Sequence, residues 1–387
     1  MRLLDDPRLD AAFLAAHDFD ETYFTHAQAR IASGELKATS STVTGEILPV
    51  PDVLDVHYDD EEARQMRALG EASLRAGKVA CVVLNGGMAT RFGGVVKGVV
   101  EVFDGETFLS LKANDVLRAA RRFSAPVPFV LMNSFATHEA TLAHVAKKDR
   151  FGFNQSDLMS FQQSVSIRMN EDGSLFIGDD GKPSYHAPGH GDFFRAIRRS
   201  GVLETLRSRG VEYLLFSNVD NLGATVDPVI VGYHVAQDRP MTAEITQKQR
   251  TASGAWDKGG APAIANGKRQ LVEGFRFPAD FAQETLPDFS TNNMVFTASA
   301  IDRDVPLDRH VVKKKVDGRA ALQLESITCE ASGIYYDDAP MLDMTLLRVP
   351  REGAQGRFFP VKEPVDLDTS RAKLKERLHA GWTLRDG

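Results

Sequence analysis

Residues 79–87 read Val-Ala-Cys-Val-Val-Leu-Asn-Gly-Gly, and this stretch decides the fold. Val79–Leu84 is an uninterrupted apolar run that is rich in β-branched side chains. Such a run predicts a strand that is buried on both faces, which is typical of parallel sheets covered by helices. The asparagine and the two glycines that follow predict a turn at the carboxyl end of this strand.

The chain downstream of this strand alternates between strand and helix patterns. The predicted helices are 107–123, 134–146 with Ser134 as its cap, and 192–209 with a break at Gly201; the predicted strands are 127–132 and 213–217. Alternation of this kind predicts an α/β fold in which a mostly parallel mixed sheet is flanked by helices.

The first part of the chain has a different pattern. Helical spacing of apolar residues predicts short helices within 9–17, 19–32 and 59–76, and residues 38–51 predict an extended connector. We therefore expect an N-terminal helical appendage over residues 1–77, followed by one main domain over residues 78–387 with a short C-terminal tail.

The composition of the 387-residue chain narrows the function classes. A formal net charge of −7 argues against a nucleic-acid-binding protein, which usually has a basic surface. No apolar run approaches the roughly 20 residues of a membrane-spanning helix, and the acidic start does not resemble a secretion signal. Cys81 and Cys329 form neither a disulfide framework nor a metal motif. We expect a cytoplasmic protein without nucleic-acid or membrane partners, and the sequence leaves the oligomeric state open.

Polar residues follow three of the predicted strands, where ligands bind in open parallel sheets, and those after 79–84 and 213–217 are chemically specific. Gly86 and Gly87 would let backbone amides approach phosphate oxygens, although a turn that uses glycine for steric reasons alone explains them as well. Asp220, which follows the strand at 213–217, could hold a hard cation such as Mg²⁺ or could cap the next helix.

Three later segments are also candidates for ligand contacts. Gly189 and His190 lie in a Gly-His-Gly loop whose imidazole could donate a hydrogen bond, or which could simply be a turn before a helix. The amide-rich segment with Asn292 suits sugar hydroxyls. Lys362 follows a short apolar segment, and a lysine in such a place is most often a solvated surface residue.

Taken in order over residues 80–367, these segments resemble the eukaryotic-type UDP-glucose pyrophosphorylase family, the UTP–glucose-1-phosphate uridylyltransferases. The motifs are Leu84-Asn85-Gly86-Gly87, Leu131-Met132-Asn133-Ser134-Phe135, Pro188-Gly189-His190-Gly191-Asp192, Ser217-Asn218-Val219-Asp220-Asn221-Leu222-Gly223-Ala224-Thr225-Val226-Asp227, Thr291-Asn292-Asn293, Gln323-Leu324-Glu325 and Arg357-Phe358-Phe359-Pro360-Val361-Lys362. The resemblance implies a glycosyltransferase-A-like nucleotidyltransferase domain, with UTP and glucose 1-phosphate as substrates and Mg²⁺ as cofactor.

The resemblance also implies a role for individual residues. Nucleotide contacts fall to Leu84, Asn85, Gly86, Gly87, Gln163 and Gly189; contacts to the sugar, its phosphate and the ribose fall to His190, Asn218, Thr291 and Asn292; the catalytic groups are Lys97, Lys362 and the magnesium ligand Asp220. The implied reaction is in-line attack of the sugar 1-phosphate on the α-phosphorus of UTP, with release of pyrophosphate.

The sequence departs from the family pattern at three places. Met88-Ala89 replaces a loop segment that contains a further glycine, the stretch from Gly93 to Lys97 is about one residue shorter than in the family, and Ser290 stands where the family usually has asparagine. Only 25 residues follow Lys362, so we expect the family's C-terminal β-helix domain to be missing or reduced to a helix. These departures keep two alternatives open, namely activity on another hexose 1-phosphate and a catalytically inactive nucleotide-binding regulator. A dinucleotide-dependent oxidoreductase is disfavoured because Gly-x-Gly-x-x-Gly is absent.

Overall fold

The computed structural model describes residues 3–89, 94–250, 256–257, 259–361, 367, 371–372 and 374–375. The α-helices with defined bounds are α1 (Ala11–Ala16), α2 (Glu21–Ala32), α3 (Glu61–Arg75), α4 (Phe108–Phe123), α5 (His138–Lys147), α6 (Phe193–Arg199), α7 (Val202–Ser208) and α8 (Pro228–Gln237). The described residues near the C-terminus, Leu367, Arg371, Ala372, Leu374 and Lys375, are also helical. The predicted break at Gly201 is confirmed, since this residue separates α6 from α7 with a positive φ of 75°.

A central eight-stranded sheet organises the described residues. Its strands are β1 (Leu54–Asp55), β2 (Val79–Leu84), β3 (Phe129–Asn133), β4 (Leu158–Gln162), β5 (Tyr213–Asn218), β6 (Met241–Gln247), β7 (Asp288–Thr297) and β8 (Met344–Arg348). The spatial order is β1-β8-β6-β7-β5-β2-β3-β4. Only β7 runs antiparallel to its neighbours in this sheet, so the prediction of a mostly parallel mixed sheet is confirmed.

The register of the central strands brings their carboxyl ends to one edge. Leu84 lies opposite Asn218 of β5 on one side and opposite Met132 of β3 on the other. Asn133 in turn lies opposite Gln162 at the end of β4. The polar residues that follow these strands therefore start from the same edge of the sheet, as the sequence predicts.

Helices cover both faces of the sheet. On one face, α6 and α7 pack their apolar side chains on alternate residues of the central strands, such as Val82 and Phe216. On the other face, α4 packs on the intervening residues, such as Cys81 and Val83. The alternation along β2 explains why the whole run from Val79 is apolar, because both faces of the strand are buried.

Beside the sheet, α3 and α8 cross at very close range. A Cβ at Gly70 would lie 1.8 Å from the carbonyl oxygen of Pro228, and one at Gly232 would lie 1.7 Å from that of Met66. Each helix therefore needs a glycine at the crossing point, since any side chain there would push the two backbones apart.

The structure differs from the sequence predictions in the first half of the chain. Helix α5 begins at His138 and not at Ser134. The Ser134 hydroxyl donates to the carbonyl oxygen of Gly86 at 2.9 Å and is therefore engaged with the glycine turn. The expected connector over 38–51 contains a 3-10 helix, Ala38–Ser41, and a strand, Ile47–Leu48, that pairs with Ala261–Ala265.

The segment before residue 78 contacts the rest of the protein at further places. Leu14 and Phe24 of the first two helices share an apolar cluster with Ile167 and Leu324, and β1 forms an edge of the central sheet. The boundary at residue 77 stays a prediction. Among the described residues, no helix is long and apolar enough to cross a bilayer. The cytoplasmic location also stays a prediction.

Candidate functional site

A cleft of about 370 Å³ opens at the carboxyl ends of β2, β3 and β5. Its lining residues are Leu84, Gly86, Gly87, Lys97, Met132, Gln163, Ala187, Gly189, His190, Asn218, Val219, Asp220 and Glu325. Most of the residues that the sequence predicts for the nucleotide and the phosphates, although far apart in sequence, therefore meet around one cavity. Its size lies within the range of about 300–1,000 Å³ that is usual for small-molecule sites.

The glycine turn forms one wall of the cleft. A Cβ at Gly86 would lie 2.5 Å from Oε1 of Gln163, so a side chain at this position would displace the glutamine. Asn85 is fully buried, and its Nδ2 donates to Oδ1 of Asn133 and to Oγ1 of Thr141, each at 2.8 Å. The Asn85 side chain thus anchors the turn from behind and does not face the cleft, so only its backbone could serve the nucleotide.

Gln163 and Gly189 form a second wall. The Gln163 amide donates from Nε2 to the carbonyl oxygen of Gly189 at 2.8 Å. Gly189 has φ +86°, and a Cβ there would meet the carbonyl oxygen of Ser326 at 2.4 Å. Both the left-handed backbone and the close approach require glycine at position 189. At position 189 this wall of the cleft therefore presents backbone atoms and no side chain.

His190 extends from the same loop into the cleft lining. Its Nδ1 lies 2.8 Å from Oγ1 of Thr328 and accepts from the Thr328 amide at 3.3 Å, while that hydroxyl donates to the His190 carbonyl oxygen at 2.8 Å. Because Nδ1 accepts from an N–H group, the ring proton belongs on Nε2. Burial lowers the pKa of His190 to about 4. The imidazole is therefore a neutral donor at neutral pH.

Asp220 and Lys97 form the charged end of the cleft. Lys97 Nζ lies 3.7 Å from Oδ2 of Asp220 and donates to the carbonyl oxygen of Val361 at 2.6 Å. The amide of Val361 donates to the carbonyl oxygen of Asp220 at 3.2 Å. A carboxylate, an ammonium group and the end of the 357–361 segment thus meet at one point. Lys362, the predicted second ammonium group, lies outside the described residues.

The residues predicted for the sugar divide into two groups. Asn218 lines the cleft, and its Oδ1 accepts from Nδ2 of Asn292 at 3.0 Å. Thr291 is buried, and its hydroxyl donates to the carbonyl oxygen of Glu244 at 2.8 Å. The Thr291 side chain is thus engaged in the β6–β7 pairing, whereas Asn292 lies beside Asn218. The Ser290 hydroxyl accepts from the Asn292 amide at 3.2 Å.

Sequence reasoning missed a buried charge network behind the cleft. Arg357 donates from Nε and Nη2 to Glu244 at 2.6 and 2.7 Å, and from Nη1 to Asp227 at 3.2 Å. The Tyr58 hydroxyl also donates to Asp227, at 2.6 Å. Nothing in the local pattern around Arg357 shows that it is buried, because its partners come from distant parts of the chain.

A second buried connection joins the same segment to the loop that carries Asp220. The Asn221 side chain accepts from the Phe359 amide at 2.8 Å and donates to the Arg357 carbonyl oxygen at 3.2 Å. The loop after β5 and the 357–361 segment are consequently held against each other at Asp220 and at Asn221. The cleft residue Glu325 was also missed as a site residue, although it ends the motif Gln323-Leu324-Glu325.

Comparison of the whole chain with known families identifies one that spans most of it. The profile described as UTP–glucose-1-phosphate uridylyltransferase matches residues 23–383. The chain belongs to this family. The UTP–glucose-1-phosphate uridylyltransferase family is the one that the motifs resemble, so the recognition made from the sequence is confirmed.

Curated relatives carry the same description. A probable UTP–glucose-1-phosphate uridylyltransferase from Schizosaccharomyces pombe is 33% identical over 308 residues, which cover 75% of this chain and 58% of the relative. The second such enzyme of Dictyostelium discoideum is 34% identical over 336 residues, covering 83% and 63%. The Saccharomyces cerevisiae enzyme is 31% identical over 402 residues, covering 99% and 76%. The chain thus spans about three fifths of the length of the first two relatives.

Solved structures share the fold. A UDP-glucose phosphorylase from Trypanosoma brucei aligns with a TM-score of 0.70 at 24% identity, over 90% of this chain and 74% of that one. A uridine diphosphate N-acetylglucosamine pyrophosphorylase from the same organism aligns with a TM-score of 0.73 at 17% identity, over 94% and 78%. These likenesses extend the fold assignment to nearly the whole chain.

Proposed function

We propose that this protein transfers the uridylyl group of UTP to a sugar 1-phosphate, preferentially glucose 1-phosphate, and releases pyrophosphate. The observation that carries the proposal is the convergence, in one cleft, of the glycine turn, the Gly189–His190 loop and the Lys97–Asp220 pair. Family membership supports the same activity, because the matched profile and the curated relatives bear this enzyme's name.

The donor set at Asp220 suits magnesium. Among the described residues, no set of three histidine, cysteine, aspartate or glutamate side chains lies close enough together to hold a metal ion. One carboxylate in a cleft is nevertheless sufficient for Mg²⁺, which usually takes one or two protein carboxylates and completes its shell with water and substrate phosphates. We therefore assign Asp220 as the protein ligand. When bound, Mg²⁺ would neutralise charge on the phosphate oxygens of both substrates.

The chain's own residues would bind and orient the two substrates. Backbone at Gly86, Gly87 and Gly189 lets the nucleotide approach without meeting a Cβ, and Gln163 keeps that wall in place. His190 offers Nε2–H as a neutral donor to the sugar-phosphate side. Asn218 and Asn292, joined by their own hydrogen bond, offer amide groups to hydroxyls.

The bond changes need no covalent help from the protein. An oxygen of the sugar 1-phosphate forms a bond to the α-phosphorus of UTP, and the bond from that phosphorus to the bridging α–β oxygen breaks. Pyrophosphate leaves with the electron pair. Lys97, and Lys362 by the family resemblance, would offset the negative charge on the transferring and leaving groups.

A direct assay tests the proposal. Purified protein is mixed with UTP, glucose 1-phosphate and Mg²⁺, and both pyrophosphate and UDP-glucose are quantified. Equimolar appearance of the two products is expected, and chelation of the metal should abolish it. Absence of turnover together with measurable UTP binding would instead indicate an inactive nucleotide-binding protein.

A panel of sugar 1-phosphates decides the acceptor. Glucose, galactose and N-acetylglucosamine 1-phosphates are compared by kcat/KM at saturating UTP. We expect glucose 1-phosphate to be preferred, because a site built to pair a hydroxyl discriminates strongly against analogues that misplace it. Ser290→Asn restores the residue usual in the family and should increase that preference. A higher kcat/KM for another hexose would reassign the substrate and leave the reaction unchanged.

A further inference from the structure

The buried face of α4 carries two charged side chains beneath the cleft. Lys112 is only 5% exposed and Asp115 only 8%. The remaining buried positions of this helix are mostly apolar or small, as expected for a helix packed on a sheet. Burying an amine and a carboxylate opposes folding unless their hydrogen bonds are made inside the protein. The hydrogen-bond partners of Lys112 and Asp115 therefore indicate the role of these two side chains.

Both side chains bind the loop that carries Asp220. Lys112 Nζ donates to Oγ of Ser217 at 3.2 Å and to the carbonyl oxygen of Ala224 at 2.7 Å. Asp115 Oδ2 accepts from the amide of Val226 at 2.7 Å. These three hydrogen bonds hold the start and the end of residues 217–226, a segment that we call the metal loop.

The metal loop has little regular structure of its own. After β5 ends at Asn218, the chain makes turns and an isolated bridge until α8 begins at Pro228. Its shape therefore depends on side chains that reach it from outside. From the far side it is held by the 357–361 segment, through the side chain of Asn221, and from the α4 side by Lys112 and Asp115.

A small cavity of about 30 Å³ lies among these supports. Its polar lining residues include Lys112, Asp115, Glu244 and Arg357. A cavity that holds a water needs about 10–15 Å³ and several polar partners, and this one meets both conditions. A buried water here would join the α4 charges to the Glu244–Arg357 pair.

We propose that Lys112 and Asp115 are positioning residues, which fix the metal loop from behind so that Asp220 presents its carboxylate to the cleft. Neither side chain lines the cleft, so neither touches substrate. Burial lowers the pKa of Lys112 to about 8, and the nearby charges of Asp115 and Asp220 act in the opposite direction. The inference rests on the proposed function for its consequence in catalysis, but the loop contacts stand without it.

The test compares Lys112→Met with a matched control, Phe123→Leu. Methionine keeps the length of the side chain and removes its donors. Phe123 is buried at the opposite end of the same helix, where the guanidinium groups of Arg75 and Arg122 lie over its ring, so its truncation should lower stability without removing a hydrogen bond to the metal loop. Amide hydrogen exchange of residues 218–226 is measured in the metal-free protein, together with the thermal midpoint.

We expect Lys112→Met to speed exchange in the metal loop by about tenfold or more, since it removes hydrogen bonds from a charged donor. Phe123→Leu should lower the thermal midpoint without that local change. Equal exchange in Lys112→Met and wild type, or equal acceleration in both variants, would overturn the proposal. If Lys112→Met does not fold, Asp115→Asn provides the same comparison at Val226.

Catalysis supplies a separate readout. In Lys112→Met the Mg²⁺ concentration for half-maximal turnover should rise by about tenfold with little change in KM for glucose 1-phosphate, because the perturbed group is the metal ligand. An unchanged Mg²⁺ dependence beside accelerated exchange would remove the catalytic role. Because exchange is measured without substrates, failure of the proposed activity would leave the exchange result intact.

Discussion

Removing the charge of Lys97 tests the electrostatic basis of the site. Lys97 Nζ lies 3.7 Å from Oδ2 of Asp220, and its side chain is only 11% exposed. At an effective dielectric constant of about 20, two unit charges at this separation interact by about 4 kcal/mol before desolvation is counted. A phosphate oxygen bound at the same place would experience an attraction of the same order.

About half of that interaction should survive desolvation, which corresponds to roughly 2–3 kcal/mol of transition-state stabilisation. Because about 1.4 kcal/mol is a factor of ten in rate, Lys97→Met should lower kcat about 100-fold. The Mg²⁺ concentration for half-maximal turnover should not rise, since the variant removes a cation that competes with the metal for Asp220. Asp220→Asn should show the opposite pattern in the metal titration.

Pyrophosphate release at varied Mg²⁺ measures both quantities. Lys78→Met is the matched control, because Lys78 precedes β2 at the other end of the sheet and pairs with Glu212 at the surface. That control should retain wild-type kinetics. A kcat for Lys97→Met within threefold of wild type would refute the assignment of this lysine to the phosphates.

Three further perturbations test the supports of the cleft. Arg357→Met leaves the buried Glu244 uncompensated and should lower the free energy of unfolding by about 3–5 kcal/mol in urea titrations, while adding Glu244→Gln should recover part of the loss. Gly189→Ala forces a Cβ to within 2.4 Å of the Ser326 carbonyl oxygen, so KM for UTP should rise about tenfold or more. Burial lowers the pKa of His234 to about 4. In the unfolded protein this histidine binds a proton below about pH 6.5, whereas in the native protein it stays neutral. The free energy of unfolding should therefore fall by about 2 kcal/mol from pH 7 to pH 5, and by less in His234→Gln.

The fold could be predicted because the buried faces of strands and helices carry apolar residues in a pattern that is visible in the local sequence. The run from Val79 is apolar at every position since helices cover both faces of β2, and that signal needs no knowledge of the partners. The reversed strand β7 gave no such signal, because strand direction depends on pairing with β5 and β6 and not on the residues of the strand.

The candidate site was predictable where it follows strand ends and unpredictable where it depends on tertiary contacts. Asp220 and the glycine turn were found by the rule that ligands bind beyond the carboxyl ends of parallel strands. Arg357 and Lys112 were not found, because a charged residue in an ordinary pattern looks exposed until its buried partners are known. Thr291 shows the converse, since a motif residue with a predicted ligand contact uses its hydroxyl to bind the Glu244 carbonyl oxygen.

The contacts of Val361 also govern when the site can form during folding. Lys97 and Val361 are separated by 264 positions in the chain, yet they share a hydrogen bond at the charged end of the cleft. Contacts between positions so far apart in sequence require the intervening chain to be ordered and tend to form late. A nascent chain that has emerged only as far as β8 would have the sheet and the glycine turn but an open charged end. The charged end of the cleft would then be completed in a final step, after most of the core has packed.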